Sequence, residues 1–200
     1  MIEQRQGWWW PKNDGLEKRL LKYADLPQQI KKYVNSFDTA VQAGGNTGFY
    51  TAQYAAMFDT VYTFEPDYLN FQCMSMNLTE QNIIKLQACV GDTHGLVGLN
   101  IVDRNRGENS VNGTGIYPML TIDDLSLNSC NLIHLDIEGY ELYAIKGAVN
   151  TIVKYKPTVV LEVWDHSDTQ IQLEQLLAEL DYKMVDILGG SDRVYIASTT

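Results

Sequence analysis

The sequence is poor in the residues that staple or anchor a chain. Its 200 residues include three cysteines, Cys73, Cys89 and Cys130, odd in number and widely spaced. They make neither a disulfide framework nor a zinc-ligand pattern, and they fit a reducing cytoplasm, which is the expected location. The three histidines, His94, His134 and His166, are equally scattered. No apolar run approaches the roughly 18 residues that a bilayer span requires, so no membrane association is expected. The start, Met1-Ile2-Glu3-Gln4-Arg5, leads into Trp8-Trp9-Trp10-Pro11 and not into the continuous apolar stretch of a secretory signal. Positive charge is scarce as well: 15 Lys and Arg stand against 25 Asp and Glu, a net −10. Residues 1–35 carry seven basic and four acidic side chains, whereas residues 36–200 carry eight against twenty-one. Such a body repels a phosphate backbone, whose binding depends on Lys and Arg displacing counterions, so nucleic acid is not an expected partner.

What is present describes a folded domain. With 45% hydrophobic and 20% charged residues, the chain can bury a sizeable core. Residues 1–35 read as an appendage, helical and aromatic. Leu16, Arg19, Leu20 and Tyr23 recur at helical spacing behind Asp14 as a cap, and a second short helix is predicted over 28–34. Three adjacent indoles cannot all point inward from regular structure, so Trp8-Trp9-Trp10 form either a lid over an acceptor or an anchor to the core. Residues 36–200 read as one domain in which strands alternate with helices. Strands are predicted at 39–43, 61–64, 83–90 with 96–102 beside it, 132–136 and 158–164. Helices fall over 50–57, 66–78 and 140–154, and in a stretch ending near Leu180 that Ser167 and Gln170 could cap. Tyr182–Leu188 and Arg193–Ala197, joined through Gly189-Gly190, close the chain as an antiparallel pair. This order predicts an α/β domain with an open, mainly parallel sheet and helices on both faces. Ligands of such sheets bind beyond the carboxyl ends of the strands.

Residues with chemistry follow the strands. Gly44-Gly45-Asn46-Thr47-Gly48 leaves the first strand and opens a helix, where glycines allow close backbone approach and the helix start offers N–H donors. Glu65 ends the second strand, 17 residues beyond Gly48, where a carboxylate can accept both hydroxyls of a ribose. Asp92 follows the third strand, placed either to receive an adenine amino group or to make a plain turn with Gly91. Asp136-Ile137-Glu138-Gly139-Tyr140-Glu141 leaves the fourth. Carboxylates there can orient a hydroxyl, act as a general base, hold a divalent cation or simply cap the next helix. Asp136 is the leading candidate for handling the acceptor, with Glu138 assisting. His166, just past the strand at 158–164, is a second candidate base or an exposed loop histidine. His134, between apolar neighbours in a strand, reads as a core residue.

The chain resembles the FkbM family of S-adenosylmethionine-dependent methyltransferases. The resemblance rests on Gln42-Ala43-Gly44-Gly45-Asn46-Thr47-Gly48, Phe64-Glu65-Pro66, Thr121-Ile122-Asp123-Asp124-Leu125, Asp136-Ile137-Glu138-Gly139-Tyr140-Glu141 and Lys146-Gly147-Ala148, and continues through Pro157 to Leu161-Glu162. It implies a Rossmann-like methyltransferase fold: a mainly parallel seven-stranded sheet, helices on both faces, and a C-terminal antiparallel hairpin. It also implies S-adenosylmethionine as cofactor, held at Gln42, Gly44, Gly45, Asn46, Gly48 and Glu65, and O-methylation of a small-molecule or carbohydrate acceptor. Where the family usually carries an acid before the glycine loop, this chain has Gln42, which keeps a hydrogen-bond acceptor without the charge. Two other classes stay open. A nicotinamide-dependent dehydrogenase shares the glycine turn and Glu65 but ordinarily needs a substrate domain. A non-catalytic cofactor-binding or scaffold protein of the same fold is compatible with Gln42.

Overall fold

The computed structural model describes residues 1–15, 22–163 and 168–198. Its centre is a seven-stranded sheet built from β3 (Thr39–Ala43), β4 (Thr60–Phe64), β5 (Ile83–Leu86), β11 (Leu132–Leu135), β12 (Thr158–Glu162), β13 (Tyr182–Leu188) and β14 (Asp192–Ala197). The order across the sheet is β13-β14-β12-β11-β3-β4-β5. The five strands from β12 to β5 run parallel, and β14 pairs antiparallel with both β12 and β13. The predicted fold class, including the closing hairpin, is the observed one.

Strand periodicity divides the core between the two faces. Ala40, Leu132 and Val160 point toward α1 (Leu26–Ile30) and α2 (Phe49–Ala55), where Ile30, Tyr50 and Tyr54 pack. Val41, Ile133 and Val159 point toward α4 (Glu141–Lys146), α5 (Val149–Tyr155) and α6 (Asp168–Glu179). The remaining helix, α3 (Tyr68–Asn77), packs Met74 and Leu78 beside Ile83. Strands buried on both faces read as continuous apolar runs, which is why β11 and β12 were legible without alternation. No helix among the described residues is long and apolar enough to cross a membrane.

Three departures from the sequence reading have physical reasons. The segment read as a helical appendage opens with a hairpin, β1 (Ile2–Arg5) and β2 (Trp8–Pro11). Alternation in a strand resolves the crowding of three indoles: Trp10 is buried, and Trp8 on the same face reaches Phe49. The helix expected around Leu16–Tyr23 lies largely outside the described residues, as does Ser167 of the expected cap. The single strand predicted over 83–90 is two, since β6 (Cys89–Val90) leaves the main sheet to pair with β10 (Tyr117–Leu120). Tyr117–Leu120 pairs on its other side with β7 (Gly95–Val97), and a small hairpin of β8 (Leu99–Asn100) and β9 (Ser110–Val111) completes the excursion after β7. Finally, the helix expected over 140–154 breaks at Gly147-Ala148. A side chain on Gly147 would come within 2.0 Å of the Gly91 carbonyl oxygen, so the break lets the chain pass against the end of β6.

Candidate functional site

A cavity opens at the carboxyl ends of β3, β4, β11 and β12, where the topology predicts a ligand. Gln42 through Asn46, Glu65, Asp136 and Glu138 all line it. The excursion forms its outer wall through Leu99, Arg106, Gly107, Asn109 and Val111. Arg106 holds that wall down. Its guanidinium bonds Asp67 and Asp103, both at 2.7 Å, and its carbonyl accepts from Asn70. Asp67 is the N-cap of α3, its Oδ1 accepting from the backbone of Leu69 and Asn70, so one carboxylate fastens both helix and wall.

The glycine loop is shaped by the protein around it. A Cβ on Gly44, whose φ is +83°, would lie 1.9 Å from the Asp136 carbonyl oxygen. Glycine there lets the exit of β3 pack against the exit of β11, so the two halves of the site sit side by side. The loop is pinned from outside as well. Trp8 Nε1 donates to Thr47 Oγ1 at 3.3 Å, and Asn77 Nδ2 donates to the carbonyls of Thr47 and Trp9. Gln42 is buried and accepts from Thr51 Oγ1 at 2.6 Å, so its amide is oriented from α2.

Glu65 is buried at the end of β4, with one oxygen accepting from the Asn46 N–H and the other from the Asp67 N–H, both at 2.8 Å. Burial pushes its pKa up to about 8, against these two backbone donors, which favour the carboxylate. Each oxygen keeps a lone pair for a further donor. This donor-hungry carboxyl in the cavity wall suits the vicinal hydroxyls of a nucleoside. Asp92, by contrast, is exposed and is not part of the cavity wall; Ala88, Cys89, Val90 and Tyr140 occupy that side.

At the other end the acids crowd together. Oxygens of Asp136, Glu138 and Glu162 lie within 4.8 Å of one another, and Asp192 joins the same wall. Burial, then the charge of Glu162 and a hydrogen bond to it, hold the Asp136 carboxyl well above the usual carboxylate range. Two carboxyls that hydrogen-bond each other must carry a proton between them. That shared proton accounts for their closeness, and the same three oxygens of Asp136, Glu138 and Glu162 are near enough to one another to ligate a single cation. Glu141 is not part of the cavity wall. Its Oε1 receives the backbone N–H of Ile137 and of Gly139, bracing the loop in which Glu138 takes a left-handed φ of 53°. Burial raises its pKa to about 7. The acids of the Thr121–Leu125 motif are structural too: Asp123 caps α5 at Asn150 and Thr151, and Asp124 accepts from Thr121.

The structure thus brings together Gln42, Gly44, Gly45, Asn46, Glu65, Asp136 and Glu138, and leaves Asp92 and Gly48 outside the cavity wall, Gly48 lying against Leu78. His166 lies outside the described residues. The sequence reading missed Glu162 and Asp192 as site residues. Glu162 was findable, since it ends an apolar strand as Asp136 follows one. Asp192 was not, because its place depends on the register in which β14 meets β12, Asp192 opposite Glu162.

Comparison with known proteins agrees with this geometry. The model of the methyltransferase FkbM domain matches residues 42–184. Among solved structures, a methyltransferase FkbM from Methylobacillus flagellatus KT is similar at TM-score 0.58 and 20% identity, covering 92% of this chain and 55% of that one. This chain therefore spans little more than half the length of that relative. A SAM-dependent methyltransferase from Aquifex aeolicus is similar at TM-score 0.50 and 13% identity, covering 90% of this chain and 95% of its own. A Streptococcus mutans protein solved in complex with SAH is similar at TM-score 0.51 and 10% identity, covering 88% and 94%. At these identities the solved structures speak for the fold. No curated protein matches the chain.

Proposed function

The chain belongs to the FkbM methyltransferase family, and from that premise we propose that it transfers the methyl group of S-adenosylmethionine to a hydroxyl of a small molecule or sugar. The observation that carries this reading is the pairing, in one cavity, of a lone buried carboxyl at Glu65 with a cluster of carboxyls at Asp136, Glu138 and Glu162. When bound, S-adenosylmethionine supplies a methyl group on a positively charged sulfur. Glu65 would accept the two ribose hydroxyls, and Gln42, held by Thr51, would accept a hydrogen bond from the cofactor's amino group. The transfer is an in-line displacement, so the protein contributes position and exclusion of water. Asp136 orients the acceptor hydroxyl, and its pair with Glu162 takes the proton. A hydroxyl is a poor nucleophile at neutral pH and gains from such a base. The same acids disfavour acceptors bearing phosphate or carboxylate, which supports a neutral small molecule or carbohydrate over nucleic acid.

Calorimetry with S-adenosylmethionine, S-adenosylhomocysteine and NAD, followed by a panel of hydroxylated small molecules and sugars with labelled methyl donor, tests this. Binding of both sulfur compounds and label on an acceptor oxygen is expected. Binding of NAD alone would overturn the reading, and binding of none of the three would favour a scaffold. Label on nitrogen would retain the cofactor and replace the acceptor class.

A further inference from the structure

Beneath the acid cluster lies a set of buried polar groups that the family assignment leaves without a role. His134 sits on β11, two residues before Asp136, between Gln42 of β3 and Val160 of β12 in register, and is fully buried. Its Nδ1 is 2.8 Å from the Tyr54 hydroxyl on α2, and the Tyr50 ring lies stacked beside it at 6.2 Å. Its Nε2 has no hydrogen-bond partner and faces Asp192 Oδ1 at 3.5 Å. Asp192 is buried as well and is the ladder partner of Glu162. A line of polar atoms therefore runs from α2 through the sheet to the acids at the cavity.

The unpartnered Nε2 facing a carboxylate gives this line a direction, since an N–H there is the group that Asp192 would attract. Burial holds the Tyr54 phenol well above its ordinary pKa, so it keeps its proton and can donate to Nδ1. A phenol donating to Nδ1 leaves the proton of a neutral imidazole on Nε2. That tautomer aims its N–H at Asp192 across a gap slightly too long for a hydrogen bond. Asp192 in turn is one of the acids whose charge raises the Asp136 pKa, so the line ends on the cavity acids.

We propose that Tyr54, His134 and Asp192 are positioning residues, a buried relay that keeps one negative charge beneath Asp136 and Glu162 and so sets how firmly that pair holds a proton. The consequence for catalysis rests on the proposed transfer to a hydroxyl. There the acceptor oxygen bonds the methyl carbon, the carbon–sulfur bond breaks with its electron pair left on sulfur, and the acceptor proton passes to the ionised member of the pair. A fixed anion beneath the pair makes it the stronger base. The other groups facing the pair are Glu138 from its own loop and Glu141 from the start of α4, while β3 presents the uncharged Gln42. Tyr50 and Tyr54 face His134 from α2.

Nitrogen-15 NMR of the His134 ring in the full chain tests the relay without any acceptor. The signals are assigned by their loss in His134→Gln. The expected result is a ring protonated at Nε2, giving way to a tautomer mixture in Tyr54→Phe. Infrared titration of the carboxyl band that Asp136→Asn removes should then show its midpoint falling by about one pH unit in Asp192→Asn. A cationic ring at neutral pH, or a ring protonated at Nδ1, overturns the relay, as does an unmoved midpoint in Asp192→Asn. These readings in the unliganded wild type and single variants are separate from cofactor calorimetry. The relay can therefore fail while the methyltransferase reading stands, and the reverse.

Discussion

At the end of β4, Glu65 has one acid nearby, Asp67, which Arg106 pairs, and each of its oxygens is met by a backbone N–H. At the ends of β11 and β12, Asp136 and Glu162 have each other, with Glu138 and Asp192 close by. Both ends bury carboxyls, and in both burial raises the pKa. The difference lies in what opposes that rise. Backbone donors at Glu65 pull its pKa back toward the carboxylate wherever the proton goes, which suits a group that only accepts hydrogen bonds from a ligand. Neighbouring acids make ionisation depend on a proton's whereabouts, which suits a group that must take one up. The cavity thus separates holding from reacting along its length.

Substitutions at the two ends should therefore split turnover from affinity. With an acceptor from the panel, Asp136→Asn is expected to lower kcat by about 10²–10⁴-fold while leaving S-adenosylhomocysteine affinity within about threefold. Glu65→Ala should do the opposite, weakening S-adenosylhomocysteine by about 10–100-fold with little change in kcat at saturating cofactor. Calorimetry beside steady-state kinetics reads both. If each variant lost affinity and turnover together, the two ends would be one cooperative unit and the comparison would break.

The ends also share a cost, and pH exposes it. Glu65 at about 8 and Glu141 at about 7 both bind their protons more tightly when folded than an ordinary carboxyl does. Their contribution to stability is therefore fully present below the unfolded value and is lost as pH rises through about 7 to 8. The Tm of the unliganded protein is expected to fall between pH 5 and pH 8. Glu141→Gln, whose amide oxygen can still accept from Ile137 and Gly139, should flatten that fall by about 3 kcal/mol across the interval. A Tm that rose over the same range would mean that these carboxyls are better solvated than their burial implies.

The cofactor end was the more legible of the two. Gln42, the glycine loop and Glu65 are placed by local rules, a turn after one strand and an acid ending the next, and the parallel order of strands carries them to one edge. Even there the reason for Gly44 lay elsewhere, since its missing side chain makes room for the Asp136 carbonyl oxygen. Asp92 follows its strand as expected, but β6 leaves the main sheet to pair with β10, and the chain beyond it turns outward. Asp136 and Glu138 could be read from their strand, whereas Asp192 reaches them through an antiparallel register that no local pattern encodes. Likewise His134 reads as core from its neighbours, and it is core; that its two nitrogens face Tyr54 and Asp192 depends on packing between distant elements.

The smallest effect expected is at the tryptophans, and it asks whether the holding end is held from outside. The alternatives for Trp8 were a lid over the acceptor or an anchor. Its indole N–H bonds Thr47 in the glycine loop, its ring meets Phe49 edge-on at 6.0 Å, and it is not part of the cavity wall. An anchor follows from those contacts. Trp8→Phe keeps an aromatic ring and removes only the hydrogen bond, so thermal or denaturant unfolding should register a loss of about 1 kcal/mol. Because Thr47 lies between Asn46, which donates to Glu65, and Gly48, which begins α2, S-adenosylhomocysteine affinity should fall in step while acceptor KM stays fixed. A lid would give the reverse pattern, an altered acceptor KM at unchanged Tm, and would move Trp8 from the holding end of the cavity to the reacting one.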